Sequence, residues 1–252
     1  MKVQTYLTAS LLPESPGPSP ALAVMIDVLR ASTTICAALA AGAEAIIPVA
    51  ELEEALRLAR QFERSTILLA GERKGEKPEG FDLGNSPLEY TSEVVAGKRI
   101  IFTTTNGTQV LHRLRFAPLV LVSGFVNVSA TANAIAARVS QYAELHLCCA
   151  GTTGTLALED ALAAGALIDR LQSLLPQLTL TDASRAVLWL YQYNADRLAD
   201  IVRTTDHARR LQSLGFGDDI AFATQLDTFA IVPVMDQHII RRSDKNNQEI
   251  ER

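Results

Sequence analysis

Short apolar runs rich in β-branched residues alternate along the chain with stretches in which apolar positions return every three or four residues. The runs predict strands over 3–7, 22–27, 45–49, 66–70, 99–103, 119–123 and 145–150. The stretches between them predict helices over 33–41, 52–62, 87–95, 107–114 and 128–139. Near-continuous apolar strands separated by helices imply a mostly parallel sheet covered on both faces, an α/β fold. From Leu156 the pattern turns mainly helical, through 158–175 and 183–198, until "TFAIVPVM" (228–235) reads as a returning strand. Pro13, Pro16, Pro18 and Pro20 make "LLPESPGPSPAL" an extended loop, and the polar "RRSDKNNQEIER" reads as a frayed end. No repeat or linker divides the chain. Residues 1–252 therefore read as one compact unit, with about 1–150 and 151–252 as two intimately packed subdomains at most.

In open parallel α/β sheets, ligands bind beyond the carboxyl ends of the strands, where loops meet helix N-termini. Four expected junctions of that kind are unusually polar. "IDVLRAST" carries Asp27, Arg30 and Ser32; "GERKGEKPEGFDLGNSP" carries Glu72, Arg73, Asp82, Asn85 and Ser86. "TTTNGT" supplies Thr104, Thr105, Asn106, Gly107 and Thr108, and "CCAGTTGTLALED" supplies Gly151, Glu159 and Asp160. Free backbone N–H groups at such turns, with small hydroxyls beside them, can cradle a phosphate or another anion. Arg30 and Arg73 can form bidentate bonds to its oxygens. Asp27, Asp82, Glu159 and Asp160 are hard oxygen ligands of the kind Mg²⁺ uses. Anion donors beside such carboxylates favour phosphoryl chemistry.

Each signal also has a plainer reading. "TTTNGT" alone is turn chemistry with a helix cap, and Glu159-Asp160 are first-turn acids favoured by the helix dipole. Lys74 reads as a solvated surface charge, and Cys148-Cys149 as filling for buried strand space. His112, His146, His207 and His238 show no metal-ligand spacing and read as structural or exposed. Four polar junctions on one sheet edge shift the balance towards a site.

Composition narrows the classes. A net charge of −5 argues against general nucleic-acid binding, which neutralises many phosphates. The N-terminus "MKVQTYLTAS" has no apolar signal region, and runs such as "ALAVMI" are too short to span a bilayer, so a cytoplasmic, membrane-free protein is expected. Three cysteines make neither a disulfide framework nor a metal knuckle. There is no G-x-x-x-x-G-K-[ST], no G-x-G-x-x-G after the first strand and no G-x-S-x-G. Gly154 and Thr155 stand where a cysteine phosphatase loop needs arginine, and "DVLRAS" lacks the second aspartate of haloacid-dehalogenase-type phosphatases.

Together, "VMIDVLRASTTICAALAAGA" (24–43), "LAGERKGEKPEGFDLGNSPLEY" (69–90), "TTTNGTQVL" (103–111) and "CAGTTGTLALEDALAAGALI" (149–168) resemble the 2-phosphosulfolactate phosphatase family. A weaker match runs through "DHARRLQSLGFGDDIAFATQLDTFAIVPVM" (206–235). Leu156 and Ala157 precede the acidic pair where the family's pattern leads one to expect a serine close by, and Ala208 stands where it tends to have glycine. The resemblance implies a Mg²⁺-dependent hydrolase of the coenzyme M biosynthesis family that releases sulfolactate and inorganic phosphate. On that reading Asp27, Glu159 and Asp160 hold Mg²⁺, while Arg30, Arg73 and the Thr104–Thr108 loop hold the phosphate. Asn85 and Ser86 take the sulfonate or carboxylate, with Ser32 and Gly151 as further substrate contacts. The nucleophile is either water oriented by Glu72 or Asp82, or Asp27 itself. A non-catalytic sensor of a phosphorylated or sulfonated metabolite is the alternative, and a homo-oligomer stays open.

Overall fold

A computed structural model describes residues 1–13 and 21–243. Pro16, Pro18 and Pro20 of the expected loop, and the tail from 244, lie outside the described residues. The strands are β1 (Lys2–Tyr6), β2 (Ala21–Ile26), β3 (Ala45–Pro48), β4 (Ile67–Gly71), β5 (Arg99–Thr103), β6 (Leu119–Ser123), β7 (Glu144–Cys149), β8 (Thr179–Leu180), β9 (Pro233–Asp236) and β10 (Ile239–Arg242). The helices are α1 (Ala31–Ala40), α2 (Leu52–Ala59), α3 (Ser92–Val95), α4 (Gly107–Arg113), α5 (Val128–Ala136), α6 (Leu158–Leu174), α7 (Asp182–Asn194), α8 (Leu198–Arg203), α9 (Asp206–Ser213) and α10 (Gly217–Ala223).

The strands form one sheet in the order β4-β5-β3-β10-β9-β6-β2-β7-β1-β8. Two blocks, β4-β5-β3 and β6-β2-β7-β1-β8, are each parallel within themselves. The β9–β10 hairpin joins them by antiparallel pairing on both of its sides, so the two blocks run in opposite directions. That reversal departs from a single parallel edge. "TFAIVPVM" contributes only its last residues to β9. Arg241 and Arg242, expected in a frayed end, belong to β10 and pair with Val234 and Pro233 of β9; the fully buried Ile240 before them anchors the strand.

Two-residue alternation distributes each strand between two layers. Leu22, Val24 and Ile26 of β2 face the core beneath α5, α6 and α7, whereas Ala23 and Met25 face a central core around α1 and α4. Ile100 and Phe102 of β5 enter that same central core, and Ile101 packs beneath α2 with Val49, Ala55 and Phe81. Both parallel blocks therefore share the α1–α4 layer. Every residue of α1 from Ala31 to Leu39 is buried, which explains its small and apolar composition on all sides. Cys36, Cys148 and Cys149 are buried and free, as filling residues should be.

Candidate active site

Asp27 leaves the end of β2 and turns at once into α1. Its backbone N–H donates to Ser32 Oγ at 2.9 Å, and its Oδ1 accepts from the Ala31 N–H at 3.2 Å. Ser32 is thus a lock for the turn, fully buried behind Asp27. Gly107 packs against the same carboxylate: a Cβ there would lie 2.7 Å from Asp27 Oδ2 and 2.7 Å from Ala31 Cβ. Glycine is needed for α4 to approach this closely.

Asp27 forms part of the floor of a cleft whose lining also includes Arg30, Glu72, Lys74, Asn85, Thr104–Asn106, Thr152, Thr153, His207 and Arg210. Loops from β2, β4, β5 and β7 meet there, joined by α9. Glu72 ties two of them together, accepting from the Thr105 N–H at 2.6 Å and the Gly75 N–H at 2.7 Å. Thr104 and Thr108 bond reciprocally: the Thr108 N–H donates to Thr104 Oγ1 at 3.2 Å, and Thr108 Oγ1 donates to the Thr104 carbonyl at 2.8 Å. The six residues of "TTTNGT" therefore build a rigid wall, with Thr104 to Asn106 on the cleft and Gly107 and Thr108 behind it.

Asp160 links the β2 and β7 junctions. The Val28 N–H donates to its Oδ1 at 2.8 Å and the Gly151 N–H to its Oδ2 at 3.0 Å. Both oxygens are therefore taken by backbone, which fits a strut better than the metal ligand expected from sequence. Glu159, one residue earlier and 1 % exposed, differs: Oε1 pairs with His207 Nδ1 at 3.1 Å, and Oε2 has no partner. A buried carboxylate oxygen without a partner is costly, and it suits a cation or a ligand proton. No group of three or more ligand-type side chains shows metal-binding geometry among the described residues. Mg²⁺ often uses only one or two protein carboxylates, completing its shell with water and substrate, and Asp27 with Glu159 matches that donor set.

Burial pushes the Asp27 carboxyl up to about 6, and the carboxylates of Glu72 and Glu159 add to the rise, while His207 and the Ala31 N–H oppose it. Asp160 is raised well above the ordinary range by burial first, then by Asp27 and Glu159. The acidic floor is therefore short of positive charge.

Arg30 lines the cleft but is firmly engaged. Its Nη1 donates to Asp219 Oδ2 at 2.7 Å, its Nη2 donates to the Gly75 carbonyl at 2.7 Å, and Phe216 stacks 4.1 Å from the guanidinium. Ser86 Oγ donates to the other Asp219 oxygen at 2.6 Å, so Ser86 steadies Arg30 from behind the cleft. Asn85 is buried at the cleft and its Oδ1 has no partner.

Ser32, Ser86 and Gly151, expected as substrate contacts, do not line the cleft, and Arg73 and Asp82 are engaged elsewhere. Arg73 donates to the carbonyls of Glu72 and Ala50 and to Thr103 Oγ1, so its guanidinium is engaged by neighbouring strand ends. Asp82 pairs with Arg64 and accepts from the Leu69 N–H, pinning the long loop to β4. Neither lines the cleft. Lys74, read as a surface charge, and His207, read among scattered histidines, do line it. Thr152, Thr153, Arg210 and the Arg30 partner Asp219 were not singled out from sequence. Arg210 and Asp219 sit on α9 and α10, distant in the chain, and only their presence in the "DHARRLQSLGFGDDI" match hinted at them.

The model of the family described as 2-phosphosulpholactate phosphatase matches residues 6–238. A protein of Caldanaerobacter subterraneus subsp. tengcongensis named "probable 2-phosphosulfolactate phosphatase" is 46% identical over 220 residues, covering 87% of this chain and 90% of that protein. Proteins of the same name from Synechococcus sp. and Thermotoga maritima are 44% and 42% identical, covering 86% and 84% of this chain and 90% and 88% of theirs. With nearly the whole chain matched, and the four polar junctions inside the matched span, this chain belongs to the 2-phosphosulpholactate phosphatase family.

Proposed function

We propose that this protein is a phosphoric monoester hydrolase that cleaves 2-phosphosulfolactate with water, yielding sulfolactate and inorganic phosphate, and that it depends on Mg²⁺. The observation that carries the reading is the buried acidic floor of Asp27 and Glu159, with an unpartnered Glu159 oxygen, next to a cleft lined by Arg30, Lys74 and Arg210. A receptor for anions alone gains nothing from such carboxylates. The names borne by relatives across the matched length support the same substrate.

Asp27 and Glu159 would hold Mg²⁺, with Asp160 keeping the two junctions in register behind them. Bound there, Mg²⁺ would supply Lewis-acid stabilisation of charge on the transferring phosphoryl group. Arg30 adds a fixed positive charge at the floor, oriented in advance by Asp219, Gly75 and Phe216, so it needs no reorganisation during reaction. His207 is held through Nδ1 by Glu159. As an imidazolium, with Nδ1–H on Glu159, it would pass its Nε2 proton to the departing ester oxygen, and the proton of the attacking water would move to a phosphoryl oxygen and leave with the inorganic phosphate. Glu72, with both oxygens bonded to neighbouring N–H groups, shapes the loop rather than accepting that proton.

Phosphate release from 2-phosphosulfolactate, measured with Mg²⁺ and with EDTA, tests the reading. Release that needs the metal and is lost in Asp27→Asn is expected. A folded, Mg²⁺-supplied protein that releases no phosphate would overturn it. A single turnover in oxygen-18 water should label the phosphate and leave Asp27 unlabelled; label in the carboxylate would mean that Asp27 attacks phosphorus directly.

A further inference from the structure

Charge within the cleft is unevenly committed. Arg30 faces Asp219 at 2.7 Å with both side chains almost fully buried, and His207 faces Glu159. Lys74 and Arg210, by contrast, join no ion pair among the described residues, although both line the cleft. They come from different parts of the chain: Lys74 from the loop after β4, Arg210 from α9. Arg210 Nη2 donates to the Lys74 carbonyl at 3.1 Å, which ties the two together. Lys74 itself is held in a left-handed conformation, φ 56°, within a tight turn closed by bonds between the backbones of Arg73 and Glu76. The pair is therefore built into one rim of the cleft.

Depth matters as well. Asp27 and Arg30 are 7 % and 3 % exposed at the floor, whereas Lys74 and Arg210 are exposed at the mouth. A small ester whose phosphate sits on the floor must present its other substituents to the mouth. A phosphate monoester carries about two negative charges at neutral pH, and on the hydrolase reading the floor would meet them with Arg30 and the cation that Asp27 and Glu159 would hold. Any further acidic group on the same small molecule meets the two uncommitted cations.

We infer that Lys74 and Arg210 form the specificity subsite of this cleft, recognising the acidic groups that the ester carries in addition to its phosphate. The inference rests on the hydrolase reading for its choice of substrate. The protein selects polyanionic phosphate esters over esters of neutral alcohols, and the mouth makes that selection. An Arg and a Lys divide the work well: the planar guanidinium suits a carboxylate or sulfonate in two-point contact, and the ammonium acts as a point charge.

The test compares kcat/KM for 2-phosphosulfolactate, 2-phospholactate and isopropyl phosphate, which carry two, one and no additional acidic groups. Wild type is compared with Lys74→Met, Arg210→Met and the charge-retaining Arg210→Lys. Losing a hydrogen bond to a charged group predicts a fall of about 10-fold or more for the sulfolactate ester in each Met variant, mainly through KM. The fall should be smaller for phospholactate and smallest for isopropyl phosphate, with partial recovery in Arg210→Lys. Equal falls for all three esters, or none, would overturn the inference. Calorimetric binding of sulfolactate, which has no phosphate, separates this subsite from the reaction itself. Weakened binding in the Met variants supports the subsite even if wild type hydrolyses none of the esters, an outcome that would sink the hydrolase reading alone. Sulfolactate that binds wild type and variants equally, or not at all, counts against the subsite.

Discussion

Asp27 is held in a place where burial makes its charge unwelcome. Burial pushes its carboxyl from the ordinary 3.8 up to about 6. A carboxyl raised by folding contributes no penalty below the lower value, and a growing one as pH climbs towards the higher value. Each pKa unit corresponds to about 1.4 kcal/mol, so the penalty above pH 6 is on the order of 2–3 kcal/mol. Asp27→Asn in EDTA should therefore unfold at a higher temperature than wild type at pH 7, and the gain should vanish near pH 4. A difference that is flat across this range, followed by calorimetry, would contradict the burial argument. Asp27 stood out in the sequence as a carboxylate directly after a buried strand, although capping the next helix explains about half of such residues and its Oδ1 does accept from the Ala31 N–H. The choice between Arg73 and Lys74 was not legible. Adjacent residues share composition and loop, and only the left-handed turn at Lys74 determines which cation reaches the cleft.

The junction loops are positioned by elements that meet very closely. α6 carries Glu159 and Asp160 in its first turn, and its middle crosses α7 at Gly165, where a Cβ would lie 2.1 Å from the Val187 carbonyl oxygen. Backbone against backbone leaves nothing flexible to yield. Gly165→Ala should separate α6 from α7 and destabilise the protein by about 2–3 kcal/mol in chemical denaturation, with helix content retained. An unaltered denaturation midpoint would mean that the crossing is looser than described. Helix existence was legible here from the apolar period, as it was for α1, α2, α4, α5 and α7. The 87–95 segment was less so: it divides into a short 3-10 turn, Pro87–Glu89, and α3, because the chain must first return Tyr90 to the core, where its hydroxyl donates to the Gly84 carbonyl.

The molecule as a unit depends on the β9–β10 hairpin, which among the described residues is what joins the two parallel blocks in the sheet. Ile240 is fully buried there and pairs with Ile46 of β3, while Met235 pairs with Val120 of β6. Ile240→Ala should lower stability by about 2–4 kcal/mol, and unfolding should remain a single transition because both blocks share the α1–α4 core. Two separate transitions, seen by fluorescence and circular dichroism, would show that the blocks fold independently.

The amino-acid sequence determined the local facts. Near-continuous apolar runs marked most strands, though not β8 or β10, three-to-four-residue return marked most helices, and small polar residues at strand ends marked the four junctions. These signals arise from neighbours along the chain, so they survive without knowledge of the fold. Tertiary structure alone decided the reversal between the two blocks, which rests on a hairpin of two four-residue strands formed from the far end of the chain. It also decided which polar atoms stay uncommitted. Asp160 and Glu159 are consecutive acids, yet backbone N–H groups occupy both oxygens of one and leave one oxygen of the other unpartnered. That difference comes from loops and a helix remote in sequence, and such non-local geometry leaves no trace in the spacing of residues.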